Sequence, residues 1–166
     1  MHCELNKIKN ENLKEEILNL IEKTRSIIPS ELEDDLEIES ISKQPKWHSF
    51  EHQIWKNGEE IRQKLLFDKK LKKDEEVFDK LLTIATDRNA KRGRQSFILL
   101  FGSVKYIKYS SELIKHINDG CVNGQVIDTI YKMRVCNYVE EIKPFCNSPI
   151  TWIKNIAKKY IEKYDS

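Results

Sequence analysis

Gly93-Arg94-Gln95-Ser96-Phe97-Ile98-Leu99-Leu100-Phe101 and, 31 residues later, Gly124-Gln125-Val126-Ile127-Asp128-Thr129-Ile130-Tyr131-Lys132-Met133 share one pattern. In each, a Gly and a Gln lead into an apolar run of helical spacing. In each, a second helical pattern rich in Tyr, Ile and Lys follows. A repeat at this period predicts stacked helix pairs, an architecture that usually binds rather than catalyses.

Outward from this pair, the rest of the chain reads as helix. Ile8, Leu13, Ile17, Leu20 and Ile21 form an apolar stripe over residues 5–25, and Pro29 disfavours helix at Ile28. A second pattern spans Trp47 to Phe67, with Asn57-Gly58 a candidate break near its middle. Lys69 to Lys73 is a basic connector. Asp74 reads as the N-cap of a third helix, with Glu75 and Glu76 suited to its first turn. Phe97 to Phe101 is expected to be a buried helix, with Tyr106 to Ile117 as its partner. Val126 to Met133 opens the next pair, completed by Tyr138 to Ile142 and stopped by Pro144. Ser148-Pro149 then supplies an N-cap and a proline at the first position of a last helix, which runs to about Tyr164.

Composition supports this. Apolar residues are 39% and charged residues 34%, a balance that suits helices each keeping one wet face. Five Gly and four Pro give too little turn punctuation for an all-β fold. A chain of 166 residues is read as one domain, with 1–73 an N-terminal helical portion and 74–166 the helix pairs and their capping helix. Cys3, Cys121, Cys136 and Cys146 form no CxxC pair, which argues against a zinc site and for free thiols in a reducing cytoplasm. Met1-His2-Cys3-Glu4 leads directly into a charged helix with no secretory pattern. The longest apolar run, Phe97 to Phe101, is far too short to span a bilayer, so no membrane partner is expected.

Residues 74–143 resemble HEAT-type helical repeats, and Asn118-Asp119-Gly120-Cys121-Val122 resembles the turn between such repeats. HEAT repeats commonly carry Pro in the first helix and Asp-Val-Arg before the second. This chain lacks the first and keeps Asp119 and Val122 of the second. The stretch from Asp87 through Met133 also resembles small bacterial helical-repeat proteins, some of which act as immunity proteins against secreted toxins. The resemblance implies an all-α, HEAT-like stack that binds a protein partner, a cognate toxin in the most specific form, without catalysis and without a cofactor.

Charge supplies two candidate contact sites. Residues 1–83 hold 15 Lys/Arg and 19 Asp/Glu, and residues 84–166 hold 14 and 8, giving −4 and +6. Such an asymmetry steers a charged partner or lets two chains dock head to tail; equally, it describes an unevenly charged soluble surface. Glu31 to Glu39 contains six carboxylates in nine residues, in a segment read as a short helix capped by Ser30 or as an ordered loop. It lacks the central Gly and ligand order of a calcium loop. Glu33, Asp34, Asp35 and Glu37 are candidates to imitate a phosphate backbone before a basic toxin; a solvated face is the alternative. Arg88, Lys91, Arg92 and Arg94 are candidates to grip an acidic partner or phosphates, which would make the chain a nucleic-acid-binding repeat protein. Ion pairs within the chain are their other reading.

One motif points to an enzyme. His48-Ser49-Phe50-Glu51-His52 matches H-x-x-E-H, which in inverzincin proteases places two zinc ligands one helical turn apart with a Glu as base. No third ligand is singled out, and a catalytic zinc needs one. The pair is therefore expected to be a surface or interface histidine pair.

Overall fold

The computed structural model describes the backbone of residues 2–166 and the side chains of residues 11–166. The side chains of Cys3 and Ile8 lie outside the described residues. Eight α-helices and several 3-10 turns make the chain 69% helical, with no strand among the described residues. The helices are α1 (His2–Ile27), α2 (Ser49–Leu66), α3 (Glu75–Ala85), α4 (Gln95–Leu99), α5 (Ser110–Leu113), α6 (Asn123–Met133), α7 (Val139–Ile142) and α8 (Thr151–Tyr164).

The chain divides into two compact units, Met1–Phe97 and Ile98–Ser166. Helix α3, which the sequence groups with the helix pairs of 74–166, packs on α1 and lies in the first unit.

In the first unit, α1 packs on α2 and α3, and α2 packs on the 3-10 segment Arg88–Arg94. Ile17 and Ile21 of the α1 stripe are buried, and Ile54, Ile61, Phe78, Leu81 and Ile84 join them at helical spacing. Each such side chain contributes on the order of 1.5–3 kcal/mol of burial. Asp74 caps α3 as expected, its carboxylate accepting the Val77 N–H at 3.1 Å. Asn57-Gly58 does not break α2. Asn57 is buried and donates to Thr24 Oγ1 on α1 at 2.9 Å. Gly58 lies where Ser96 and Phe97 press on the helix, so close that a Cβ would stand 2.0 Å from Ser96 Oγ. The pair that reads locally as a turn is here a helix–helix contact.

The acidic segment 30–40 is not helical. It runs extended, with one isolated antiparallel bridge between Ile38 and Pro45.

In the second unit, α6 and α7 pack on α8 around Val126, Ile130, Met133, Ile142, Ile153, Ala157 and Tyr160. The Tyr160 hydroxyl donates to Val135 O at 2.8 Å and accepts the Tyr138 N–H at 3.1 Å, which ties the α6–α7 link to α8. The expected helix 106–117 is shorter than its pattern. It is a 3-10 segment Val104–Tyr109, the four-residue α5 and a further 3-10 turn, with Phe101 edge-on to both Tyr106 and Tyr109. Pro144 lies inside the 3-10 turn Lys143–Asn147 that continues α7. Helix α8 begins at Thr151 with Ile150 as N-cap, not at Pro149. Ser148 Oγ instead accepts the Ile150 N–H at 3.2 Å, a serine turn that delays the helix by two residues. Cys121, Cys136 and Cys146 are free thiols.

Candidate functional site

After α1 ends, Pro29 sends the chain out as an extended arm that returns at Trp47. The arm closes on itself as a small hairpin. Glu39 N–H donates to Gln44 O and Lys46 N–H to Glu37 O, both at 2.9 Å, and Lys43 turns the corner with φ 56°. The Lys46 ammonium pairs with the Glu37 carboxylate.

The arm is tied to the rest of the first unit by polar contacts. Asn89 donates to Pro29 O at 3.0 Å. Lys91 Nζ donates to Glu33 O at 2.8 Å and to Asp35 Oδ1 at 2.6 Å. The His48 ring meets Asp34 O at 2.8 Å, and Arg92 donates to Pro45 O at 3.1 Å. The Lys91 hydrogen bond holds the Asp35 carboxyl below its ordinary range, with the Lys91, Arg92 and His48 charges adding to the effect and burial opposing it.

The anchor beneath is Arg88–Arg94, and it is buried. Lys91, Arg92 and Arg94 are 5%, 8% and 0% exposed, and only Arg88 of the four expected contact residues is at the surface. Arg94 donates to Ala85 O at 3.0 Å. The expected basic surface over 88–94 is therefore corrected. Lys91 and Arg92 face the arm and Arg94 faces the core, so these three side chains are turned away from solvent phosphates. Gly93 permits the close approach, since a Cβ there would lie 2.8 Å from Glu51 O and from Ile54 Cβ.

Glu51 is the hidden centre of this arrangement. It is fully buried, and its two carboxylate oxygens accept two backbone donors, His48 N–H at 2.7 Å and Arg92 N–H at 2.9 Å. One side chain thus fixes both the end of the arm and the segment that anchors it. The histidines of the H-x-x-E-H motif have separate surroundings. His48 stacks on Phe50 and His52 on Trp47, with ring centroids 5.0 and 5.1 Å apart. Among the described residues no group of three or more His, Cys, Asp or Glu stands close enough to hold a metal ion.

The acidic candidates Glu33, Asp34, Asp35 and Glu37 are all exposed residues of the arm. The structure brings one of them, Asp35, onto one of the basic candidates, Lys91, so the two clusters read as separate sites partly neutralise each other. The arm also exposes apolar side chains. Leu32, Leu36, Ile38 and Ile41 are 56%, 40%, 66% and 95% exposed. The polar ties hold the backbone and leave these side chains in water. The alternation Leu36-Glu37-Ile38-Glu39 is the sequence signal for this extended form.

Comparison with family models, with curated proteins and with solved structures finds no match for this chain. No helix among the described residues is long and apolar enough to cross a membrane.

Proposed function

We propose that the chain is a non-enzymatic protein-binding module whose contact surface is the arm 31–41. The observation that carries this reading is the arm itself, with four exposed apolar side chains set among carboxylates on a backbone pinned by Asn89 at Pro29 and by Arg92 at Pro45. Pinning lowers the ordering cost of docking, and the apolar residues supply the area that binding buries. The carboxylates select a basic partner and speed its approach.

In its most specific form the reading is a bacterial, cytoplasmic immunity protein that covers the basic surface of a cognate toxin. Its scaffold is read as a HEAT-like stack. The support for a stack is that both glycines of the 31-residue spacing lie under a neighbouring helix, Gly93 against α2 and Gly124 against Trp152 of α8. The elements that follow them differ in length, five residues for α4 and eleven for α6.

The test is to look beside this chain's gene for an encoded toxin domain and to measure binding to it. Glu33→Lys with Asp34→Lys alters the field without cutting the side-chain ties, since both residues engage the first unit through their carbonyls. Association is expected to slow by roughly tenfold, with a shallower salt dependence than the parent. An unchanged association rate, or tight binding only to nucleic acid, sinks the proposal.

A further inference from the structure

The two edges of the small hairpin in the arm differ. The Ile38–Pro45 bridge is formed by the hydrogen bonds of their neighbours, Glu39 N–H to Gln44 O and Lys46 N–H to Glu37 O. In such an antiparallel pair, the N–H and C=O of the two bridged residues point away from each other. On the Pro45 side that outward edge is closed. Proline has no N–H, and the Pro45 carbonyl accepts from Arg92. On the Ile38 side it is open, and both outward groups lie on a residue 66% exposed. Natural proteins usually blunt both edges of such a pair, because an open one invites another strand.

We propose that the Ile38 edge is a strand-addition site for an extended basic segment of the protein partner, an inference that rests on the reading of the arm as the docking surface. The side chains fit that occupant. Leu36 and Ile38 share one face of the strand, and Glu37 and Glu39 the other. A segment alternating apolar and basic residues places its apolar side chains beside Leu36 and Ile38. Its cations then fall near Glu39, whose carboxylate accepts only from Ser42 among the described residues, and near the exposed Glu31 and Glu33. A second copy of this chain is the wrong occupant, because pairing two such edges sets carboxylates against carboxylates. Main-chain hydrogen bonds supply the affinity and the alternating side chains the specificity.

The experiment titrates isotope-labelled protein with a short blocked peptide alternating Lys and Val. Two controls accompany it, one with Glu in place of Lys and one of unchanged charge with a central Pro. The Lys-Val peptide is expected to slow exchange of the Ile38 amide by roughly tenfold at saturation, while neither control does. Ile38→Pro, which removes the outward donor together with its own amide signal, is read instead from the peptide-induced chemical-shift changes of the Glu37 and Glu39 amides, which are expected to disappear; retained protection of the Glu39 and Lys46 amides shows that the hairpin is intact. Ile38→Ala is expected to keep the response in weakened form. Equal responses to the Lys-Val and Pro-bearing peptides reduce the site to charge attraction and overturn strand addition. So does a dimer of the free protein that protects Ile38. Absence of any response overturns it as well, even where Glu33→Lys and Asp34→Lys still slow association with a protein partner, so the two readings fail separately.

Discussion

Glu51 Oε1 accepts the backbone N–H of Arg92 at 2.9 Å, while its other oxygen holds the N–H of His48 at 2.7 Å. These two donors are 44 residues apart in sequence, and one buried carboxylate satisfies both. Two facing N–H groups require an acceptor oxygen each, and the Glu51 carboxyl presents one to each. Glu51→Gln replaces one acceptor with a donor aimed at a donor. The expected loss of stability is about 1–3 kcal/mol, the cost of an orphaned buried group. Denaturant unfolding measures it, and a loss under about 0.5 kcal/mol contradicts this role for Glu51.

Lys91 is held at φ 48° and ψ −129°, a backbone region that disfavours side chains. Its side chain compensates by binding Glu33 O and Asp35. Lys91→Ala and Lys91→Gly remove the same two contacts, but only the glycine relieves the backbone. Lys91→Gly is therefore expected to be the more stable of the two by about 1 kcal/mol. Denaturant unfolding of the two variants side by side checks the order. This ordering is opposite to that in ordinary helix, where alanine is favoured over glycine by a similar amount.

The first unit shows which parts of a fold are legible in sequence. The Asp74 cap, the stripe of α1 and the helical course of α2 were readable because each depends on residues within a few positions. The basic run 88–94 was not. Charge counts register Lys91, Arg92 and Arg94 as a surface, whereas the burial of the run depends on Glu33, Asp35, Pro45 and Glu51, some 40 to 60 residues earlier. For the same reason the acidic arm was legible as a charged cluster but not as a structure tied to those lysine and arginine residues. Glu51 was noticed only as the possible base of a zinc motif, since nothing local marks a carboxylate as an acceptor for distant backbone. In the second unit, Ser148-Pro149 read as cap and first helical residue because that pairing is common, but the serine turn onto Ile150 uses the same hydroxyl.

The arm should loosen in acid. Asp35 has its folded-state pKa lowered, chiefly by the Lys91 hydrogen bond. Its tie therefore contributes fully above the ordinary aspartate range of about 4, and is lost as pH falls through the lowered value. Amide exchange over residues 31–41, corrected for its intrinsic pH dependence, is expected to lose protection in that window. Asp35→Asn should show less protection at neutral pH and no such step. A step that persists in the Asn variant assigns the transition to another carboxylate.

Gly58→Ala sets two effects against each other within α2. Helix propensity favours alanine by about 1 kcal/mol. The added methyl, however, stands 2.0 Å from Ser96 Oγ, 2.8 Å from Ser96 Cβ and 2.9 Å from the Phe97 ring. Rotating the serine removes only the first clash, and Phe97 is fully buried. Overpacking of this kind costs about 1–3 kcal/mol, so the net change is expected to be destabilising. A stabilised variant would mean that the contact of 96–97 with α2 is looser than it stands here.

Gly124→Ala tests the second glycine of the 31-residue spacing, with a signature different from that of Gly58→Ala. A Cβ at 124 meets Trp152 Cη2 at 2.0 Å and Ile153 Cγ1 at 2.8 Å. Trp152 is 48% exposed and can swing outward, whereas Ile153 is buried and cannot. The indole is therefore expected to give way first, moving further into water and shifting its emission to the red. Trp47 and Trp55 also emit, so Trp152→Phe supplies the background to subtract. The Ile153 contact remains after the indole moves. A stability loss of about 1–3 kcal/mol is therefore expected from Gly124→Ala both in the parent and on top of Trp152→Phe. Loss seen in the parent alone would place the whole cost on the indole. Loss in neither would show that Gly124 is not where α6 and α8 meet most closely, and would remove the close-approach argument for pairing it with Gly93.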